Sequence, residues 1–110
     1  MKSKDNSVYI DHMLECILRI DEYVESKEQF YSSRLVQDAV VRNLQVMSES
    51  SQRLAAGVKQ LYPDIPWKQF SGFRNILVHD YLGVDLDVIW SVVAQELPKL
   101  QQALTKQQEK

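Results

Sequence analysis

Cysteine is almost missing from this chain of 110 residues: Cys16 stands alone. A lone cysteine cannot close an internal disulfide, so a stapled secreted scaffold is excluded and a reducing cytoplasm is the expected compartment. Glycine and proline are scarce at three each, and no glycine-rich phosphate loop, strand-like alternation or internal repeat occurs. No apolar run approaches the roughly 18 residues that a membrane span needs, and the charged stretch Met1 to Ser7 leads into no signal-peptide-like segment. Positive charge is not in excess either. The 13 Lys and Arg are outnumbered by 15 Asp and Glu, giving a net charge of -2 and a pI near 5.6. That balance excludes a protein that grips nucleic acid by bulk charge, because non-specific affinity grows with the number of phosphates neutralised; any such contact must be local. The two histidines, His12 and His79, lie in no Glu-x-x-His or Cys-rich spacing, so no metal and no cofactor is expected.

What the chain does have is apolar residues at helical spacing. With 45% hydrophobic residues, the length suits one core and one domain over 1–110. Ile10, Met13, Leu14, Ile17, Ile20 and Val24 predict a first helix from about Val8 to Phe30. Its outer face carries Asp11, Glu15, Glu22 and Glu25. Ser32 or Ser33 caps a second helix from about Arg34 to Leu61, with Val36, Val40, Leu44, Met47, Ser51, Leu54, Val58 and Leu61 as its seam. Small residues (Ser48, Ser50, Ser51, Ala55, Ala56, Gly57) crowd one segment of it, where a helix crossing is expected. Arg42 and Asn43 read as a surface Arg beside a polar flank. Pro63 ends that helix and Pro66 opens a short third one to His79, sending Trp67, Phe70 and Phe73 into the core. Asp85 caps a last helix with Leu86, Ile89, Trp90, Val93, Leu97, Leu100 and Leu104 on one side; Pro98 should kink or split it near Glu96, and the tail from Thr105 should fray. The fold class is all-α: an antiparallel four-helix bundle whose short third helix carries the motif.

That motif is Phe73-Arg74-Asn75-Ile76-Leu77-Val78-His79-Asp80-Tyr81. On a helical wheel Phe70, Phe73, Ile76 and Leu77 share one arc, while Asn75 and His79, four apart, stack on the opposite face with Arg74 able to swing over from the edge. The helix should end near His79, with Tyr81 leaning back toward the same patch. An Arg followed by a His five residues on arises by chance in about one such chain in ten. On the bland reading Arg74 meets a surface carboxylate, His79 caps the helix C-terminus and Tyr81 simply packs.

The wider sequence resembles one family. Asp64-Ile65-Pro66-Trp67, the motif itself, Val84-Asp85, Trp90 and Leu97-Pro98, with Ala39 to Ser50 as the family's second helix, closely resemble the HepT toxins of the HEPN superfamily over about residues 8–104. Two features depart from the family pattern: Phe73 stands where Met is commoner, and Met47-Ser48-Glu49-Ser50 replaces an Ile-Gly-Glu-Ala type run. The resemblance implies a homodimeric, metal-independent endoribonuclease acting on tRNA or mRNA, with Arg74 and His79 catalytic and Asn75 in support. It also implies an MntA-type nucleotidyltransferase antitoxin that transfers AMP from ATP to Tyr81. The alternative is a catalytically silent helical module that binds the same nucleotidyltransferase.

Overall fold

The computed structural model describes residues 2–79 and 85–109, with side chains placed over 6–73 and 85–109. The order is α1 (Lys2–Tyr23), α2 (Lys27–Ser32), α3 (Arg34–Arg53), α4 (Ala56–Gln60), α5 (Trp67–His79), α6 (Leu86–Ser91), a π-helical turn (Val92–Glu96) and α7 (Leu97–Glu109). The chain is all-α.

Three hydrogen bonds between helices set their directions. The Ala55 amide at the end of α3 donates to Asn6 near the start of α1, Gln52 near the end of α3 donates to the Ser71 carbonyl early in α5, and Gln108 near the end of α7 donates to the Ser7 carbonyl. Each joins one helix's last turns to another's first, so α1 with α3, α3 with α5 and α7 with α1 run antiparallel. The core between them holds Ile10, Met13, Ile17 and Ile20 of α1, Val36, Val40, Leu44 and Met47 of α3, Phe70 and Phe73 of α5, and Leu97, Leu100 and Leu104 of α7. Cys16 is buried with them, and that burial pushes its thiol pKa up.

Three sequence expectations are revised. The first helix breaks between Tyr23 and Lys27 because Ser26 caps a new one: its Oγ accepts from the Gln29 amide, while Gln29 Oε1 accepts from the Glu25 amide. The two side chains together satisfy amides that a helix start leaves open. The second helix stops at Arg53 rather than Leu61; Leu54 and Ala55 take extended backbone angles, the Ala55 amide goes to Asn6, and Leu61 falls out of the seam to lie exposed. The disturbance expected near Glu96 is present, as a change of register in the ladder just ahead of Pro98. Proline has no N–H to offer the carbonyl four residues back, and just before it the Leu97 amide bonds to the Val92 carbonyl, five residues back, in a π turn. The tail does not fray before Glu109: Gln107 accepts from the Tyr62 hydroxyl, and Gln108 holds Ser7 and Asp11. Asn43 is also buried, not a flank, with its amide nitrogen donating to the Ala39 carbonyl.

Candidate active site

The short helix α5 is built from its ends. Pro66 precedes Trp67, whose indole Nε1 donates to the carbonyls of Lys59 and Tyr62 at 3.1 and 3.0 Å, pinning the helix start to the preceding loop. Trp67 itself is half-buried, and Phe70 and Phe73, 1% and 2% exposed, meet edge to face with centroids 6.1 Å apart. These two rings fix the rotation of α5 about its axis.

Helical backbone continues through Arg74, Asn75 and His79. At about 100° per residue, with Phe70 as origin, Phe73 falls near 300° while positions 75 and 79 fall near 140° and 180°. The backbone therefore places Asn75 and His79 on the arc opposite the buried rings, with Arg74 at its margin near 40°. The expectation for Tyr81 lies outside the described residues, as does that for Asp80.

Two residues on the same arc carry no motif signal. Lys68, near 160°, is exposed, and Gly72, near 200°, would bring a Cβ into open space with nothing within 4 Å. Wheel geometry could have found Lys68; the openness at Gly72 depends on what surrounds it and could not be read from the chain.

Beyond the motif, Asp85 caps α6 by accepting from the Asp87 amide at 2.9 Å. Asp87 in turn accepts the Tyr31 hydroxyl at 2.5 Å, and Phe30, Tyr31 and Trp90 form an aromatic cluster with centroids 5.4–6.4 Å apart. The bond to the Asp87 carboxylate, with lesser contributions from desolvation and the charges of Asp87 and Asp85, pushes the Tyr31 pKa up to about 12.

A cleft of about 580 Å³ lies at the other end of α5, where the Leu61–Ile65 loop faces Lys99, Gln102, Ala103 and Lys106. Thirteen residues of helix put it about 20 Å from His79. His12 is exposed on α1. Among the described residues no three His, Cys, Asp or Glu side chains group closely enough to hold a metal ion, and no helix is long and apolar enough to cross a membrane.

The chain is all-α, with the short helix α5 carrying the motif, and comparison with known proteins gives the family. The family model for HepT-like ribonucleases matches residues 13–106, so the chain belongs to the HepT-like ribonuclease family. It is 34% identical over 94 residues to a protein of Thermococcus cleftensis named "Probable ribonuclease HepT", covering 84% of this chain and 86% of the relative. Similarity to the "mRNA nuclease HepT" of Shewanella oneidensis is 29% over 111 residues, with 79% and 84% covered. A "Gamma-glutamylcyclotransferase and putative RNase" of Methanocaldococcus jannaschii is 39% identical over 105 residues, but while the match covers 94% of this chain it spans only 47%, about half, of that longer protein. No solved structure matches.

Proposed function

We propose that this chain, a single domain folded as an antiparallel four-helix bundle, is the RNA-cleaving toxin of a toxin–antitoxin pair, a metal-independent endoribonuclease working as a cytoplasmic homodimer. The observation that carries the reading is the phase of α5: Phe70 and Phe73 are buried, so positions 75 and 79 stand on the opposite arc. Family membership supplies the reaction class.

Cleavage without metal needs three things: a base to take the proton from a ribose 2′-hydroxyl, an acid to protonate the leaving 5′-oxygen, and positive charge for the phosphorane between them. The 2′-oxygen then bonds to phosphorus, the bond from phosphorus to the 5′-oxygen breaks, and the products are a 2′,3′-cyclic phosphate and a 5′-hydroxyl. An imidazole with an ordinary pKa near 6.5 can serve in either role at neutral pH, and a guanidinium can hold the phosphate by paired hydrogen bonds. His79 takes the proton-transfer roles, Arg74 the phosphate, and Asn75 supports them.

One histidine cannot be base and acid in the same step, so a two-fold axis beside α5 would complete the site. Open space at Gly72 on that arc supports close approach of a second copy. Exposed Lys68 on the same arc offers local positive charge, consistent with RNA binding by a protein of net charge -2. Silencing follows from Tyr81 as acceptor: its phenolic oxygen attacks the α-phosphorus of ATP on an MntA-type nucleotidyltransferase, pyrophosphate leaves, and the phenolic proton is lost to solvent. The added AMP brings bulk and negative charge to where an RNA phosphate must sit.

The test is cleavage of RNA in EDTA by the purified chain and by His79→Ala. Cleavage by the wild type and none by the variant supports the reading. An inactive wild type that still binds the transferase leaves the silent module, and activity surviving in the variant overturns the role of His79. For Tyr81, intact mass after incubation with transferase and ATP should rise by one or more adenylyl groups in the wild type and not in Tyr81→Phe.

A further inference from the structure

We propose that the cleft between the Leu61–Ile65 loop and α7 is an RNA subsite, which holds one nucleotide of the substrate with its phosphate on α7 and its base on the loop. The proposal rests on the reading of this chain as an RNA-cleaving enzyme. It concerns a surface apart from position 79, about 20 Å away along α5.

The two walls of the cleft differ in chemistry. On α7, Lys99, Gln102 and Lys106 follow at steps of three and four, so they share one helix face, and all three are exposed. Lysine and glutamine are side chains that hold phosphate and sugar oxygens. Lys99 meets Glu96 at 3.9 Å with its side chain 59% exposed; a surface pair of that kind is weak, and the ammonium stays available to a phosphate. The loop wall is apolar. Leu61 is 56% exposed and Pro63 beside it is exposed too, a surface that the face of a base would cover. Asp64 on the same loop can accept from a base amino group. An acidic peptide fits less well, since it would bring carboxylates toward Asp64 and leave the apolar wall wet. Both walls are fixed in place: the Tyr62 hydroxyl donates to Gln107 of α7 at 3.1 Å, and the Trp67 indole holds the Lys59 and Tyr62 carbonyls. The cleft is therefore formed in advance, and filling it costs little in ordering. At about 3.4 Å per stacked nucleotide, about six nucleotides separate it from position 79, so only a longer RNA engages both.

The experiment reads binding without cleavage. A fluorescent 2′-O-methyl dodecamer cannot form the cyclic phosphate, and its anisotropy gives Kd as salt is varied. Each single-strand phosphate contact contributes about 0.7 to the slope of log K against log salt, which is about fivefold in affinity at 0.1 M salt relative to 1 M. Lys99→Gln and Lys106→Gln should each weaken binding about fivefold and lower the slope by about 0.7, and the double variant should show about 25-fold and about 1.4. Lys27→Gln makes the same change in net charge at an exposed position on α2, outside the cleft, and should stay within about twofold of the wild type. A wild type that binds no dodecamer, a double variant that binds like the wild type, or an equal loss in Lys27→Gln overturns the proposal. So does tighter binding of an oligoglutamate peptide than of RNA at these lysines, which would assign the cleft to an acidic protein segment, or displacement of the dodecamer by AMP as readily as by unlabelled dodecamer, which would assign it to a free nucleotide. The predicted losses in a chain that cleaves no RNA support the subsite and remove only the nuclease reading. Cleavage with unchanged binding in the double variant overturns the subsite and leaves the role of His79 standing.

Discussion

Ser51 should be worth more to stability as alanine. Its side chain is fully buried on α3, and among the described residues its Oγ has no hydrogen-bond partner. A buried hydroxyl without a partner costs about 1–3 kcal/mol, because the hydrogen bonds it made to water in the unfolded chain are not replaced. Alanine also exceeds serine in helix propensity by roughly 0.5 kcal/mol, and removing one oxygen leaves too small a space to cost much in lost packing. Ser51→Ala is therefore expected to raise the unfolding free energy by about 1.5–3 kcal/mol, which for a chain of this size lifts Tm by about 6–12 °C. Ser48 is the control. It is equally buried, but its Oγ donates to the Gln45 carbonyl at 3.0 Å, so Ser48→Ala exchanges a satisfied hydroxyl for propensity and should stay within about 0.5 kcal/mol of wild type. Urea denaturation followed by circular dichroism at one protein concentration measures both, with an unchanged m as the check on two-state behaviour. A Ser51→Ala variant destabilised by about 1 kcal/mol or more would refute the reasoning, since it would mean that the hydroxyl has a partner it cannot spare.

Two further outcomes follow from titrating groups. Cys16 is 7% exposed and burial raises its thiol pKa, so a thiol reagent should label the native chain far more slowly than the urea-unfolded chain; equal rates would contradict the packing of α1. Tyr31 should ionise near pH 12, as read by phenolate absorbance. A folded pKa above the unfolded value means that the stability contributed by the Tyr31–Asp87 bond is present in full below about pH 10 and is lost as pH rises toward 12. Tyr31→Phe should accordingly lack that component of the alkaline loss; an unchanged profile between pH 10 and 12 would count against the bond.

How much of this was legible in the chain depends on whether the signal was local. Ser33 and Asp85 act as N-caps, and α5 spans Trp67–His79 behind Pro66, because a cap and a proline act through their own neighbours. Val36, Val40, Leu44, Met47, Ser51, Leu54 and Val58 are all buried as their spacing predicts. The break after Tyr23 was also written locally, in Ser26-Lys27-Glu28-Gln29, a Ser-x-x-Gln signature hidden by apolar spacing that continues through Val24 to Phe30. The end of α3 at Arg53 was not legible, since the Ala55 amide is satisfied by Asn6 on another helix. Nor was the π turn, because Pro98 announces a disturbance but not how neighbouring carbonyls will resolve it. At the candidate site the periodicity of α5 was enough to predict its extent to His79 and the burial of Phe70 and Phe73. The tie between Tyr31 and Asp87 joins segments 56 residues apart, and no spacing rule reaches that far.

On the proposed mechanism two copies of His79 act together at one site. Co-refolding wild type with His79→Ala in varied ratio and measuring RNA cleavage at fixed total protein separates that from single-copy action. If both imidazoles are needed, only wild-type pairs cleave, and activity should follow the square of the wild-type fraction, falling to about one quarter at an equal mix. A linear fall, to about one half, would mean that each copy works alone and would contradict the account.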